Sequence, residues 1–135
     1  MSRWLLVGVL AGYYLHGAGR VDANGPPAVD SDVRQAVGKG LARVLVEVRT
    51  SPTAQPEGGL TTPGAVVTQR AAIAAAQGDV LSRLPRSHFA LIRRYESVPF
   101  LALQIDADAL RALEAMGDVV TRVLSDQTFA PTTRQ

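Results

Sequence analysis

The sequence predicts an α+β domain with four strands and two helices in the order β-α-β-β-α-β. Three observations carry this. Residues 41–49, LARVLVEVR, alternate with a two-residue period, placing Val44, Val46 and Val48 on one face. The polar pair Glu96-Ser97 splits two apolar runs, 89–95 and 98–105, into a hairpin. Two helical patterns, 62–84 and 106–117, each stand between strand-like runs. The last of those runs is 119–124.

Residues 1–23 read as a secretory signal that directs the chain to a secreted or periplasmic location. Arg3 gives a positive start and 4–15 is an apolar run. Such a run is shorter than the ~20 residues a spanning helix needs, so no stable membrane span is expected. Val21-Asp22-Ala23 offers a small residue at a cleavage site. Residues 24–40 contain Pro26-Pro27, Gly38 and Gly40 and show no apolar period, so a flexible leader is expected.

The first strand's second face carries Arg43, Leu45 and Glu47. A loop at 50–62 holds Pro52, Pro56, Gly58 and Gly59. Thr62 then suits a helix cap, with Pro63 in the first turn. Val66, Arg70, Ile73, Gln77, Val80 and Leu84 follow at helical spacing, and Val67, Ala74 and Leu81 widen that stripe. Pro85 ends the helix, since it disfavours helical geometry at Leu84 and has no N–H to donate.

In the third strand Leu101, Leu103 and Ile105 form one face; Phe100, Ala102 and Gln104 form the other. Asp106 suits a cap and Asp108 the first turn, where the helix dipole favours negative charge. Leu110, Leu113 and Met116 form the inner stripe, and Gly117 is placed for a left-handed stop. Residues 127–135 have no period and should form an extended tail.

A right-handed β-α-β crossover makes its two strands parallel. Two such units joined by the hairpin give a four-stranded antiparallel sheet with two helices on one face, the ferredoxin-like split arrangement. The expected domain spans 41–126. Its uncovered face would carry Arg43, Leu45, Glu47, Phe100, Ala102, Gln104 and Arg122, a half-apolar surface suited to docking.

Several chemistries find no residues. The chain has no cysteine, which excludes disulfides and thiolate chemistry. Its net charge of +2 gives no argument for nucleic acid. Beyond the signal His88 is the one histidine, read as a polar residue at a strand edge, and no Gly-x-Ser-x-Gly elbow accompanies it. The carboxylates look scattered, so no metal site is expected, and Asp106 and Asp108 are accounted for by the helix start. Phosphate-binding glycine spacing is absent, so no cofactor and no catalytic residue is expected.

The succession of pieces resembles the subtilisin propeptide family, also described as subtilase propeptide-like peptidase inhibitors. Its carriers are Val44-Leu45-Val46-Glu47-Val48, the helix with Ile73, Gln77 and Leu81, and Tyr95-Glu96-Ser97-Val98-Pro99-Phe100-Leu101-Ala102-Leu103. Asp106-Ala107-Asp108-Ala109-Leu110-Arg111-Ala112-Leu113 and Val120-Thr121-Arg122-Val123-Leu124-Ser125-Asp126 complete it. The resemblance implies a non-enzymatic partner of a subtilisin-like serine protease that speeds its folding and inhibits it. The open sheet face would pack on the protease. The tail residues Gln127, Thr128, Phe129, Ala130, Pro131, Thr132 and Thr133 would enter the active-site cleft as a substrate-like strand, with Phe129 suited to an apolar pocket. Action in trans, as a free-standing inhibitor, and in cis, as the front of a precursor, both stay open. The alternative is an exported binding module of the same fold, unrelated to proteases.

Overall fold

Residues 25–126 are described in the computed structural model. The chain runs β1 (Ala28–Val29), α1 (Ser31–Gly38), β2 (Ala42–Val48), α2 (Pro63–Arg83), β3 (Phe89–Arg94), β4 (Phe100–Ile105), α3 (Ala107–Glu114) and β5 (Val120–Ser125). One sheet holds all five strands in the order β1-β5-β2-β4-β3. The pairs β5–β2, β2–β4 and β4–β3 are antiparallel, whereas β1 lies parallel to β5. The fold is therefore α+β, as the sequence predicts. The sheet departs from expectation: it is mixed and five-stranded, and three helices accompany it.

The additions come from residues 24–40, where the sequence suggests only a flexible leader. Ala28 and Val29 pair with Arg122 and Val123. The Asp30 N–H donates to the Val123 carbonyl at 3.0 Å, and the Asp30 carboxylate accepts from the Ser125 N–H at 3.1 Å. Val33 then enters the core with 1% exposure. Arg34 reaches Glu114 on α3 at 2.7 Å. The segment thus closes an edge of β5 that would otherwise present unpaired backbone groups. Gly40, at φ 137°, makes the turn into β2, a conformation that side chains other than glycine's resist.

Alternation decides the core. Val44, Val46, Leu101, Leu103, Ile105, Val120 and Val123 are fully buried. Cross-strand register joins Val44 to Leu103 and Val46 to Leu101. Val33 of α1, Val80 of α2 and Leu110 and Leu113 of α3 belong to the same core cluster, so all three helices cover one face.

The helix ends follow their capping residues. Thr62 Oγ1 accepts from the Ala65 N–H at 3.1 Å, with Pro63 in the first turn. Asp106 Oδ1 accepts from the Ala109 N–H at 3.0 Å. Two expectations fail. Val67 is 68% exposed and Arg70 and Ala74 are also exposed, so the inner stripe of α2 narrows to Ile73, Gln77, Val80 and Leu84, with Leu81 packed at its edge. Val67 and Ala74, seven residues apart, lie on one outward side of α2, whose first half meets the 50–60 loop. Gln69, on that first half, exchanges hydrogen bonds of 3.0 and 2.7 Å with the Gln55 backbone. At α3, Gly117 supplies no left-handed stop. The helix ends at Glu114, and the Met116 N–H donating to Leu113 and the Val119 N–H donating to Met116 carry the chain round, both at 3.0 Å.

One buried polar side chain ties α2 to the hairpin. Gln77 is 2% exposed. Its amide nitrogen donates to the carbonyls of Tyr95 and Phe100, each at 2.8 Å. Those two residues flank the 96–99 turn, so Gln77 fixes where β3 reverses into β4. Gln77→Leu keeps the volume but strips both carbonyls of this donor. It should destabilise the chain by about 1–3 kcal/mol in urea unfolding, while Gln69→Leu on the exposed half of α2 should cost less.

Candidate functional site

The uncovered face is built by register. Arg43 stands opposite Gln104, Leu45 opposite Ala102 and Glu47 opposite Phe100. On the other side of β2, Leu45 faces Leu124 and Glu47 faces Arg122. Directly paired residues share a face. The structure therefore brings together all seven residues that the sequence assigns to the open face: Arg43, Leu45, Glu47, Phe100, Ala102, Gln104 and Arg122.

Its chemistry is layered. Leu45, Ala102, Phe100 and Leu124 form an apolar centre. Leu45, Phe100 and Leu124 stay half-buried, whereas Ala102 is buried. Glu47 and Arg122 form an ion pair at one end. Arg43 lies at the other end, 3.5 Å from the Asp126 carboxylate. The Asp126 N–H also donates to the Arg43 carbonyl at 3.1 Å, which fixes the point where the chain leaves β5.

Sequence alternation missed three members. Leu124 lies two residues beyond Arg122 and was legible from that spacing. Ala90 and Arg93 join through their pairing with Gln104 and Ala102. They escaped notice because β3 slips between Leu91 and Arg93, leaving Ile92 unpaired. A similar slip at Thr121 lets Val120 and Val123 both point inward although they are three apart. Composition carries no signal for either bulge. The Arg93 guanidinium lies 4.9 Å from the centre of the Tyr95 ring. The tail residues 127–133, the other half of the expected site, lie outside the described residues, as does the 1–23 segment.

A second cluster was not foreseen. His88 ends the short turn Arg86–His88 that leads into β3, and its Nδ1 lies 2.6 Å from Asp106 Oδ2 and 3.5 Å from Asp108 Oδ2. The carboxylates that look scattered in sequence therefore converge on the histidine. The Asp106 hydrogen bond raises the His88 pKa above its ordinary 6.5. Asp106 itself is held below 3.8, first by the Ala109 N–H and then by His88.

A hollow of about 480 Å³ lies between α2 and the hairpin turn, lined in part by Arg70, Arg94 and Tyr95. Both guanidinium groups are already engaged. Arg70 forks onto Glu57 at 2.6 and 2.9 Å, and Arg94 donates to the Ala74 carbonyl at 3.0 Å. No helix among the described residues is long and apolar enough to cross a membrane.

Comparison with models of protein families, with characterised proteins and with solved structures finds no match.

The His88–Asp106 contact makes stability depend on pH in two directions. The His88 part is complete below 6.5 and is lost as pH rises through its raised folded value. The Asp106 part is complete above 3.8 and is lost as pH falls through its lowered folded value. The difference in Tm between the natural chain and His88→Gln should be largest between those limits and should shrink on either side. A difference that does not vary with pH would contradict this assignment.

Proposed function

We propose that the chain inhibits a subtilisin-like serine protease and assists its folding. The uncovered sheet face packs on the protease surface, and the residues after Asp126 lie in the active-site cleft. One observation carries the reading: a half-apolar sheet face, left without a covering layer among the described residues, stands beside Asp126 at the end of β5. Strands β2–β5 with α2 and α3, taken without β1 and α1, are read as a ferredoxin-like unit. The added N-terminal elements lie on the helix side and at the β5 edge, away from the proposed docking face.

The division of labour follows from the chemistry. Leu45, Phe100, Ala102 and Leu124 supply the apolar centre that a stable interface needs. Arg43, Glu47, Gln104 and Arg122 form its polar rim. A standard interface buries about 800 Å² on each partner, which a four-stranded face of this length can supply. The tail would add main-chain hydrogen bonds to an edge of the cleft, with alternate side chains entering pockets. Binding the folded form stabilises it by mass action, and the same linkage favours the native form of the protease it contacts. Export through residues 1–23 would place the chain where such proteases act. No nucleic-acid partner and no catalytic role of its own is assigned.

The test pairs inhibition with refolding, using the full chain against several subtilisin-like proteases. The natural chain should slow hydrolysis by at least one of them and speed its refolding. Phe100→Glu should keep the fold, at a small cost from lying opposite Glu47, and weaken inhibition by about ten- to a hundredfold, or about 1.4–2.8 kcal/mol. Deleting 127–135 should lower potency without lowering Tm. Leu103→Asp should unfold the domain, because its carboxylate would enter the core unpaired. Absence of both inhibition and assisted refolding across all the proteases would overturn the proposal. Inhibition that survives both Phe100→Glu and the tail deletion would overturn the assigned surfaces.

A further inference from the structure

We propose that His88, Asp106 and Asp108 bind a divalent transition-metal cation, with zinc the ion their chemistry fits best. Each residue offers one ligand atom, and the three atoms lie within 4.8 Å of one another. They come from two places in the fold. His88 precedes β3, while Asp106 and Asp108 sit at the start of α3.

The arrangement is held by the backbone. The Asp106 N–H donates to the His88 carbonyl at 3.2 Å, which fixes the two segments side by side. Asp106 uses Oδ1 to cap α3 and so keeps Oδ2 for another partner. Asp108 has its Oδ1 3.4 Å from Arg111, and it is Oδ2 that turns towards His88. One imidazole nitrogen and two carboxylate oxygens therefore face a common point.

A small tetrahedral ion fits one of the separations as it stands and the others after small side-chain rotations. Zinc–nitrogen and zinc–oxygen bonds of about 2.1 Å place neighbouring ligands about 3.4 Å apart. The His88–Asp108 separation is 3.5 Å. The His88–Asp106 separation of 2.6 Å must open, which rotation of one carboxylate or the ring achieves. A hollow of about 190 Å³ lined by Ser87, His88, Gln104 and Asp106 adjoins the cluster and leaves room for water ligands. Imidazole disfavours magnesium and calcium, which prefer more oxygen ligands than this site supplies. Two carboxylates would neutralise the divalent charge. A cation needs the imidazole nitrogen and both carboxylates free of protons, so affinity should fall with acidification. It would also cross-link the start of β3 to the start of α3, and Tm should rise on binding.

Calorimetric titration of the full chain with zinc chloride tests this, with Tm followed in parallel. One saturable site is expected, with magnesium binding far more weakly. His88→Ala and Asp108→Asn should each weaken zinc by at least about tenfold, whereas His16→Ala should not. Asp106 is left intact because it caps α3. The Asp108 side chain is exposed and takes no part in that cap, so Asp108→Asn decides alone if His88→Ala fails to fold. Absence of saturable binding, binding unchanged in Asp108→Asn or in a folded His88→Ala, loss in His16→Ala, or equal affinity for magnesium would each overturn the proposal.

Discussion

The pairing of β2 with β4 is the constraint on which the remaining structure depends. Val44 meets Leu103 and Val46 meets Leu101, and none of the four is exposed. A strand's side chains alternate between faces, so this register commits every even-numbered residue of β2 to the helix side. The same step puts Leu45 beside Ala102 and Glu47 beside Phe100 on the other side. A slip of one residue would bury Arg43 and Glu47 among the helices and expose three valines. Core and uncovered face are thus two consequences of one register.

The flanking strands extend that commitment in different ways. On one side β5 carries Leu124 and Arg122 onto the uncovered face, and its outer edge is occupied by β1. On the other side β3 joins β4 through a slipped register and stays at the sheet margin, with Leu91 and Ile92 exposed. Bulge and arginines at Ile92, Arg93 and Arg94 are the devices that keep such a margin from pairing with other chains. Gln77 then sets the height of the hairpin against α2. The sheet is consequently paired on both sides at its centre, closed at one margin and protected at the other. On the proposed reading, that leaves the broad face and the C-terminal exit for the partner.

The parts legible in the sequence are those governed by a single local rule. The valine alternation of β2, the Thr62 and Asp106 caps and the Pro85 stop each act within a few residues, and each is realised. The unforeseen parts depend on distant partners. Val33, Ala36 and Val37 of α1 do stand at helical spacing and pack on the core, but three residues over barely one turn beside Pro26-Pro27 and Gly38 give a faint signal. Ala28-Val29 form a strand only because β5 offers an edge. The bulges at Thr121 and Ile92 shift the phase without a marker residue. Gln77 falls on the apolar stripe by spacing, but its two carbonyl acceptors lie across the hairpin. Six of the residues expected on the open face were readable because β2 and β4 keep a two-residue period, and Arg122 was readable because it lies beyond the bulge at Thr121. His88 and Asp106 are 18 residues apart, and their meeting follows from the β3–β4 turn rather than from any motif.

Whether a protease seats on the face opposite the helices decides the proposed function. Methyl-labelled chain titrated with an inactivated subtilisin-like protease measures this directly. Signals of Leu45 and Leu124 should shift and broaden at stoichiometric protease, while those of Val33 and Val80 beneath the helices stay in place. Saturable binding that perturbs the helix-side methyls and leaves Leu45 and Leu124 unmoved would contradict it.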